Sequence, residues 1–210
     1  QLLEGGQLEP PKIASSKGLV SAEFVKGQHD VVEFVEKFLE CVHQMERDAG
    51  RCAPWAHVQR DIPVASHVDR LFGFVRETRR RCKVCKSAAV RSWFARETFW
   101  RLYPEHVDGG PQTVSEMYMA SCGPQTEELE CPVCKVTTEH VCQSRMMAFP
   151  NVLLVQVVRQ PGPRVPVDVE EQLELAGGFP MELAGVVYHY GRTMNSGHYT
   201  CACRGPGGKY

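Results

Sequence analysis

The sequence lacks any long apolar stretch, and neither sign of charge is in excess. No apolar run approaches the roughly 20 residues that a membrane-spanning helix needs, and the segment after Gln1 does not combine a basic stretch with an apolar one, as a secretory signal does. The formal net charge of -1 gives no general reason to bind nucleic acid or an anionic membrane. An initiator methionine is also missing, which predicts an excised or incomplete chain.

The residues that are present have the composition of an ordinary globular protein. The 210 residues are 43% hydrophobic and 23% charged, which is enough apolar material for one sizeable core or two small ones. The sequence contains no internal repeat, low-complexity tract or clear domain linker. The basic cluster at residues 79–81 is interpreted as part of a solvated face.

Ten cysteines stand out in this composition, and four of them form two Cys-x-x-Cys pairs. The first pair is Cys82 with Cys85, and the second is Cys131 with Cys134. Two pairs of thiolates at this spacing can supply the four tetrahedral ligands of a structural zinc ion. The 45 residues between the pairs (86–130) exceed the usual spacing of a zinc ribbon. Zinc would therefore join the ends of two long segments of the chain, not the ends of one short loop.

Other interpretations of the cysteines are less favourable. A secreted disulfide framework is the alternative to zinc, but the chain is too large to need disulfides and shows no secretion signal. Cysteines outside the two pairs are more often buried apolar side chains, and we assign them no function. These are Cys41, Cys52, Cys122, Cys142, Cys201 and Cys203.

The apolar spacing after residue 30 predicts a helix. Apolar side chains recur at steps of three and four residues with charged residues between them, which is typical of an amphipathic helix packed on a core. The apolar positions are Val31, Phe34, Val35, Phe38, Val42 and Met45. Asp30 precedes them and Glu33 follows three residues later, so the two resemble a capping box with Asp in place of Ser or Thr.

Most of the remaining pattern predicts strands. Runs rich in β-branched and aromatic residues, bounded by proline or glycine, are typical of strands. The predicted strands cover residues 71–75, 91–99, 137–147, 152–158, 182–190 and 199–204. A short helix is predicted at 114–120, and the segments 1–20 and 161–166 are predicted to be loops.

Near the end of the chain, a histidine follows a glycine turn and begins a strand. Gly197, His198 and Tyr199 lie between a loop and the predicted strand 199–204. A strand holds an imidazole in place while the loop leaves one of its faces open, so this placement suits proton transfer. On the residues alone, a structural histidine is the commoner explanation.

Four stretches, taken in order along the chain, match the motifs of one enzyme family. Residues 27–34 are similar to a Gln-x-Asp-x-x-Glu helix motif, the two cysteine pairs to zinc-binding fingers, and residues 149–159 to a central strand. Residues 186–191 followed by 197–200 are similar to a histidine box. With these four motifs in this order, the chain resembles the ubiquitin-specific proteases, a family of papain-like cysteine peptidases.

The resemblance implies an α+β, papain-like fold shaped like a hand. A helical thumb, a β-sheet palm that carries the histidine, and fingers tipped by a zinc ribbon would hold the body of ubiquitin. The chain is expected to be a partial catalytic domain, with the remainder of the thumb at 1–70, the fingers with interleaved palm segments at 71–148, and the palm at 149–210.

The activity implied by the resemblance is hydrolysis of the amide bond after the C-terminal Gly-Gly of ubiquitin. The chemistry needs a thiolate nucleophile, a histidine that activates it, a group that orients the histidine, and an oxyanion hole. The expected partner is ubiquitin or a ubiquitin-like modifier with its conjugates, and no nucleic acid or membrane. The expected location is the cytoplasm, the nucleus or both.

The resemblance also assigns roles to individual residues. His198 matches the general base, whereas His189 matches a position that is usually structural and receives at most a supporting role. Gln28, Asp30 and Glu33 belong to the helix motif, whose acidic residues face the arginine-bearing tail of ubiquitin. Capping of the helix and a favourable interaction with its dipole, worth about 1 kcal/mol, explain Asp30 and Glu33 equally well, and both explanations stay open.

Two members of the family's active site have no match in this sequence. The nucleophile belongs to an Asn-x-x-x-x-x-Cys segment before the helix motif, and residues 1–27 contain no cysteine. The Asp or Asn that orients the histidine would follow Tyr210. Arg159 is followed by Gln160 where the family usually has phenylalanine, a departure that concerns local packing. The chain as given is therefore predicted to be inactive by itself.

Three hypotheses from different classes follow. The first, which we favour, is that the chain is a fragment of a cysteine-type deubiquitinase. The second is a non-catalytic pseudoenzyme that binds ubiquitin. The third is an unrelated zinc-ribbon protein that handles nucleic acid, although a chain of near-neutral charge offers little of the basic surface that such a function needs.

Overall fold

The computed structural model describes most of the chain from Asp30 onward. It covers residues 30–53, 65–86, 91–105, 110–159, 165–175, 177–193, 196–205 and 207. Gln28 precedes these ranges, so its predicted role lies outside the described residues. The helices are α1 (Val31–Asp48), α2 (His67–Phe72) and α3 (Val114–Cys122). Within the described ranges, no helix has the length and apolar character needed to cross a membrane.

The strands of the described residues form one four-stranded sheet and four two-stranded pairs. They are β1 (Phe74–Cys82), β2 (Arg91–Glu97), β3 (Phe99–Leu102), β4 (Gln112–Thr113), β5 (Gln125–Glu130), β6 (Thr137–Ala148), β7 (Leu154–Val157), β8 (Val167–Asp168), β9 (Gln172–Leu175), β10 (Phe179–Glu182), β11 (Gly185–Thr193) and β12 (Ser196–Cys203). β3 pairs with β7 and β4 with β8 in parallel, whereas β9 with β10 and β11 with β12 are antiparallel.

The four-stranded sheet is antiparallel and has the strand order β2-β1-β6-β5. Its two central strands are the long ones, and their register pairs Cys82 with His140 at one end and Val75 with Ala148 at the other. A bulge between Val75 and Arg76 shifts this register at the second end. One end of the sheet therefore carries a cysteine pair, while the other end reaches the hydrophobic core.

The core is built from residues that are far apart in sequence. Its buried side chains are Phe74, Trp100, Leu102, Met117, Tyr118, Met146 and Leu175. The Trp100 ring centroid lies 5.3 Å from that of Phe74 and 5.2 Å from that of Tyr118. The indole N–H of Trp100 donates to the Ser121 hydroxyl at 2.8 Å, which satisfies the one polar atom of this buried ring. Four of these side chains, Trp100, Leu102, Met117 and Tyr118, belong to the segment between the two cysteine pairs, so this segment contributes to the core.

The side of α1 that packs against the protein is not the apolar stripe predicted from the sequence. Its buried side chains are Leu39 and His43. Much of the apolar stripe points to solvent instead, since Phe34, Phe38 and Met45 are 37%, 36% and 58% exposed. The expectation of an apolar stripe packed on the core is therefore wrong for these three residues.

Ion pairs accompany this orientation of α1, in which Leu39 and His43 are buried. Glu36 bonds to Arg101 of β3, and Glu40 lies 3.2 Å from the guanidinium of Arg96 on β2. These two glutamates are four residues apart and share one side of the helix. This side of α1 therefore faces β2 and β3. Apolar periodicity shows that a helix has an apolar face, but it does not show which element covers that face.

A buried carboxylate joins α1, α2 and β2. Asp69 is 1% exposed, and one of its oxygens accepts the Arg96 Nε–H at 2.6 Å. Its other oxygen accepts the backbone N–H of Ser66 at 2.9 Å and lies 2.7 Å from His43 Nδ1. Because a buried carboxylate is costly unless it is paired, these contacts fix α2 against α1.

One local prediction is corrected by this part of the fold. Residues 71–75 were expected to be a strand, but α2 occupies the first of them and β1 begins at Phe74. The cause is a capping box, in which the Ser66 hydroxyl accepts the Asp69 N–H and the Asp69 carboxylate accepts the Ser66 N–H. β5 is also not predicted by the sequence pattern. The predicted helix at 114–120 is confirmed as α3.

Candidate metal centre and histidine site

The four cysteines of the two pairs meet at one end of the four-stranded sheet. Their sulfur atoms all lie within 4.8 Å of one another. Cys82 Sγ is 3.9 Å from Cys134 Sγ, and Cys85 Sγ is 3.7 Å from Cys131 Sγ. A tetrahedral zinc ion with bonds of about 2.3 Å places its sulfur ligands about 3.8 Å apart. A disulfide needs about 2.05 Å, so the cluster has the dimensions of a metal site.

Both cysteine pairs lie in turns of the same kind. The residue after each pair has a left-handed backbone, with φ of 45° at Lys86 and 59° at Lys135. In the second turn the Lys135 N–H donates to the Cys131 carbonyl at 2.8 Å, and the Cys131 N–H donates to the Val136 carbonyl at 2.9 Å. A non-glycine residue rarely adopts this conformation, so the turns are bent specifically where the sulfur atoms converge.

The electrostatics of the cluster favour a bound cation. Backbone N–H groups of Cys134 and Val133 lower the pKa of Cys131 to about 5. Burial and the neighbouring Cys131 thiol raise the pKa of Cys134 to about 11. Thiols held this closely cannot all ionise unless a positive charge joins them. Four thiolates suit zinc, and a zinc ion held by all four has no open position for substrate, so it would stabilise the turns and take no part in a reaction.

His140 is a residue of this centre that the motifs do not identify. It is 5% exposed and lies opposite Cys82 in the register of β1 and β6. Its Nδ1–H donates to the Thr138 carbonyl at 2.9 Å, and its contact with Cys131 helps to lower the pKa of that thiol. The only sequence signal is its position two residues before Cys142 on the inward face of a strand.

The histidine site lies on the hairpin of β11 and β12. His198 is exposed on β12 and lies opposite Tyr190, whereas His189 on β11 lies opposite Tyr199. The rings of His189 and Tyr199 are in contact, with centroids 4.7 Å apart. Gly197 is required by close approach, because a Cβ there would lie 2.3 Å from His189 Nε2.

The structure brings Asp30 to this hairpin. The Tyr199 hydroxyl donates to Asp30 Oδ2 at 3.3 Å, across a separation of 169 residues. Burial raises the pKa of Tyr199, and the negative charge of Asp30 adds to the effect. Asp30 Oδ1 accepts the backbone N–H of Val32 at 2.7 Å and that of Glu33 at 3.3 Å, so the predicted N-cap is confirmed. The Glu33 carboxylate pairs with Lys37 at 2.7 Å.

The cysteines outside the metal centre differ in burial. Cys142 is buried as expected, but Cys201 and Cys203 are exposed, so the expectation of burial is wrong for these two. They lie on β12, which pairs with β11 alone among the described strands. The charge of Cys201 and its hydrogen bond raise the pKa of Cys203, which disfavours the reactive thiolate. Cys41, Cys52 and Cys122 are half-buried.

Comparison with known proteins gives one family and a set of similar folds. A family model described as ubiquitin carboxyl-terminal hydrolase matches residues 4–210. The SAGA Ubp8/Sgf11/Sus1/Sgf73 DUB module bound to ubiquitin aldehyde matches with a TM-score of 0.62 and 18% identity, over 87% of this chain and 43% of that chain. The yeast SAGA DUB module with an Sgf73 mutant matches with a TM-score of 0.61 and 20% identity, over 85% of this chain and 43% of that chain.

These likenesses establish the fold, and the α+β fold class predicted from the sequence is confirmed. The chain spans less than half the length of the solved structures that it matches, at 43% of each. The comparison with curated proteins finds no match.

Proposed function

Because the chain belongs to the ubiquitin carboxyl-terminal hydrolase family, we propose that it is part of a cysteine-type deubiquitinase. The reaction is hydrolysis of the peptide or isopeptide bond after the C-terminal glycine of ubiquitin. One observation carries this proposal beyond the family match: the Tyr199 hydroxyl, beside His198, contacts Asp30 across a separation of 169 residues. Residues from the two ends of the described chain therefore form one site.

His198 is the general base in this proposal. Its imidazole is exposed at the start of β12, where a thiol and a substrate carbonyl can approach it. It would take the proton of the nucleophilic thiol and later give a proton to the leaving amine. His189 is half-buried against Tyr199 and Gly197, which suits a supporting role.

The amino end of α1 is the proposed site for the substrate tail. Asp30 at the N-cap and Glu33 in the first turn place two carboxylates at this end, where Asp30 contacts the hairpin of His198. Carboxylates bind guanidinium groups through charge-assisted hydrogen bonds, so this turn suits the arginine-bearing tail of ubiquitin. Gln28 is proposed as a third member from its motif alone, because it lies outside the described residues.

The four-cysteine centre is proposed to hold a structural zinc ion at the tip of the fingers. The solved structures that resemble this chain include one bound to ubiquitin aldehyde, which supports ubiquitin as the partner. The division into a thumb remainder at 1–70, fingers at 71–148 and a palm at 149–210 is part of the same proposal. The family assignment removes the hypothesis of an unrelated zinc-ribbon protein.

A non-catalytic ubiquitin-binding module is the second candidate. Residues 1–27 contain no cysteine, although the family's nucleophile precedes the helix motif, and both candidates are compatible with this. For this reason we propose that the 210-residue chain is inactive by itself. The two candidates then differ in whether a longer form of the protein supplies the missing thiol.

Hydrolysis and binding assays separate the candidates. A deubiquitinase predicts that the full-length protein cleaves a fluorogenic C-terminal amide of ubiquitin, and that His198→Gln abolishes the turnover. His67→Gln, the same change at an exposed histidine of α2, is the control and should leave turnover intact. Ubiquitin binding without turnover would favour the module. Turnover by the 210-residue chain, abolished by a single Cys→Ala change, would show that the nucleophile is present in it.

A further inference from the structure

Tyr199 links the strand of the histidine site to the helix end of the substrate site. It follows His198 on β12, and its side chain is half-buried. Its hydroxyl donates to Asp30 Oδ2 at 3.3 Å, and its ring packs on His189 with centroids 4.7 Å apart. The side chain therefore contacts α1 at one end and β11 along its face.

We propose that Tyr199 is a positioning residue for His198, and that it couples the occupancy of Asp30 to the placement of that imidazole. The inference rests on the proposed function, because only a catalytic His198 needs to be placed within a fraction of an ångström. The catalytic group itself remains His198.

The surroundings of His198 explain why its neighbours matter. Its imidazole is exposed, and among the described residues no side chain forms a hydrogen bond to it. Both residues that flank it lie against the same ring: the Tyr199 ring packs on His189 at an interplanar angle of 38°, and Gly197 approaches His189 so closely that a Cβ would lie 2.3 Å from Nε2. The backbone of His198 is thus fixed on both sides by His189. The Tyr199 hydroxyl extends this fixation to α1.

Asp30 provides the coupling because its two oxygens have different partners. Oδ1 accepts the Val32 N–H at 2.7 Å and caps α1, while Oδ2 accepts the Tyr199 hydroxyl at 3.3 Å. A guanidinium group of the substrate that binds Asp30 forms a charge-assisted hydrogen bond, which is stronger than the bond of a neutral phenol. It would share the carboxylate with Tyr199, because the two oxygens of a carboxylate offer about four acceptor positions. Binding at the helix end then reaches the residue beside His198.

The kinetic test removes the hydroxyl and keeps the ring. In the full-length protein, Tyr199→Phe should lower kcat for a fluorogenic ubiquitin amide about fivefold, the effect of losing one ordinary hydrogen bond, with KM within about twofold of the wild type. Tyr103→Phe is the control, since Tyr103 lies outside the histidine box and is 52% exposed. It should leave both constants unchanged. Wild-type kcat and KM in Tyr199→Phe would overturn the proposal.

A spectroscopic test on the 210-residue chain distinguishes positioning from loss of fold. The NMR signals of the His198 ring, assigned with His198→Gln, should shift or broaden in Tyr199→Phe, while those of His67 stay in place. Signals of His198 that do not move would overturn the proposal, and so would a general loss of stability in which both histidines move. If the wild-type full-length protein hydrolyses nothing, the proposed function fails, but this NMR comparison still decides the role of Tyr199.

Discussion

At the scale of single residues, Asp30 has two tasks that a pair of substitutions can separate. Asp30→Asn keeps a good N-cap and removes the charge, so the free energy of unfolding should change by less than about 0.5 kcal/mol. Ubiquitin affinity should fall about tenfold or more, because a charged hydrogen bond is lost. Asp30→Ala removes the cap as well and should cost about 1 kcal/mol of stability. Titration calorimetry and urea unfolding measure the two effects, and unchanged affinity in Asp30→Asn would leave only the cap.

Asp69 is the residue whose loss should most disturb the attachment of α1 and α2. Its carboxylate is 1% exposed and pairs with Arg96 and His43. Asp69→Ala leaves a guanidinium without its buried partner, so the free energy of unfolding should fall by about 3 kcal/mol or more. Glu40→Ala removes the exposed partner of the same Arg96 and should cost less than about 1 kcal/mol. Equal urea midpoints for the two variants would contradict this view of Asp69.

Residues of the candidate sites are predictable from the sequence when their motif is local. The cysteine pairs, Asp30 and His198 are found in this way, because each motif spans a few positions. The contacts of His140 and Tyr199 are not, since one depends on the register of two strands and the other joins residues separated by 169 positions. Local pattern carries no information on such pairings.

At the scale of elements, α1 shows how a correct helix can be predicted with the wrong packing face. Its bounds follow from Asp30 and the apolar spacing, but its orientation buries Leu39 and His43 and places its glutamates in ion pairs with β2 and β3. The arginine partners of the two glutamates lie more than 50 residues away in the sequence. A single arginine in a strand pattern does not indicate which glutamate it will pair with. A sequence pattern therefore predicts the element and leaves its neighbours open.

The packing of α1 can be tested with two adjacent residues. Leu39 is 6% exposed, so Leu39→Ala should lower the free energy of unfolding by about 2 to 3 kcal/mol. Phe38 is 36% exposed, and Phe38→Ala should cost clearly less, about 1 kcal/mol, because less apolar area leaves contact with the protein. Urea unfolding of both variants measures the difference. A larger loss for Phe38→Ala would restore the apolar stripe as the packing face.

The four-cysteine centre at the end of the four-stranded sheet can be tested by its zinc content. Protein purified without chelator should contain about one zinc ion per chain, and Cys85→Ser should lose most of it together with the stability of the turns. Cys41→Ser, a change at a half-buried cysteine of α1 outside the centre, should keep the metal. Elemental analysis and thermal unfolding are the measurements. A zinc content near zero in the wild type would rule out the assignment.

At the scale of the whole molecule, acid should weaken the fold in a defined range. Burial raises the pKa of Glu46 and Glu170, but N–H bonds from His67 and Val68 to the first, and bonds from Ser115 to the second, outweigh it and lower both values. A carboxyl with a lowered pKa in the folded state stabilises the fold above its unfolded pKa of about 4.3. This contribution is lost as the pH falls through the folded pKa.

The free energy of unfolding, measured with urea at several pH values, should therefore decline below about pH 4.3. Glu170→Gln has no carboxylate to take up a proton, so its stability should decline less steeply than that of the wild type. A variant that declines as steeply as the wild type would show that the bonds of Glu170 do not contribute to acid stability.

The fold class and the family are predictable from the sequence because four motifs occur in one order, and the family match and the similar structures confirm both. The short parallel pairs are not predictable. β4 and β8 have two residues each, which is too few for any periodicity, and their pairing joins Gln112 to Val167. The boundaries of thumb, fingers and palm stay predictions.

The long excursion between the cysteine pairs bears on the order in which the protein folds. Cys85 and Cys131 belong to one four-cysteine cluster. The 45 residues between them (86–130) include Trp100 and Tyr118, whose side chains pack in the core. An unfolded chain offers a metal ion two thiols at a time, and bringing the second pair close carries the entropy cost of closing a long loop. Contacts this distant in sequence form slowly. A zinc ion at this centre would therefore secure a state that the core and sheet have already assembled, and the speed of refolding should depend little on the zinc concentration.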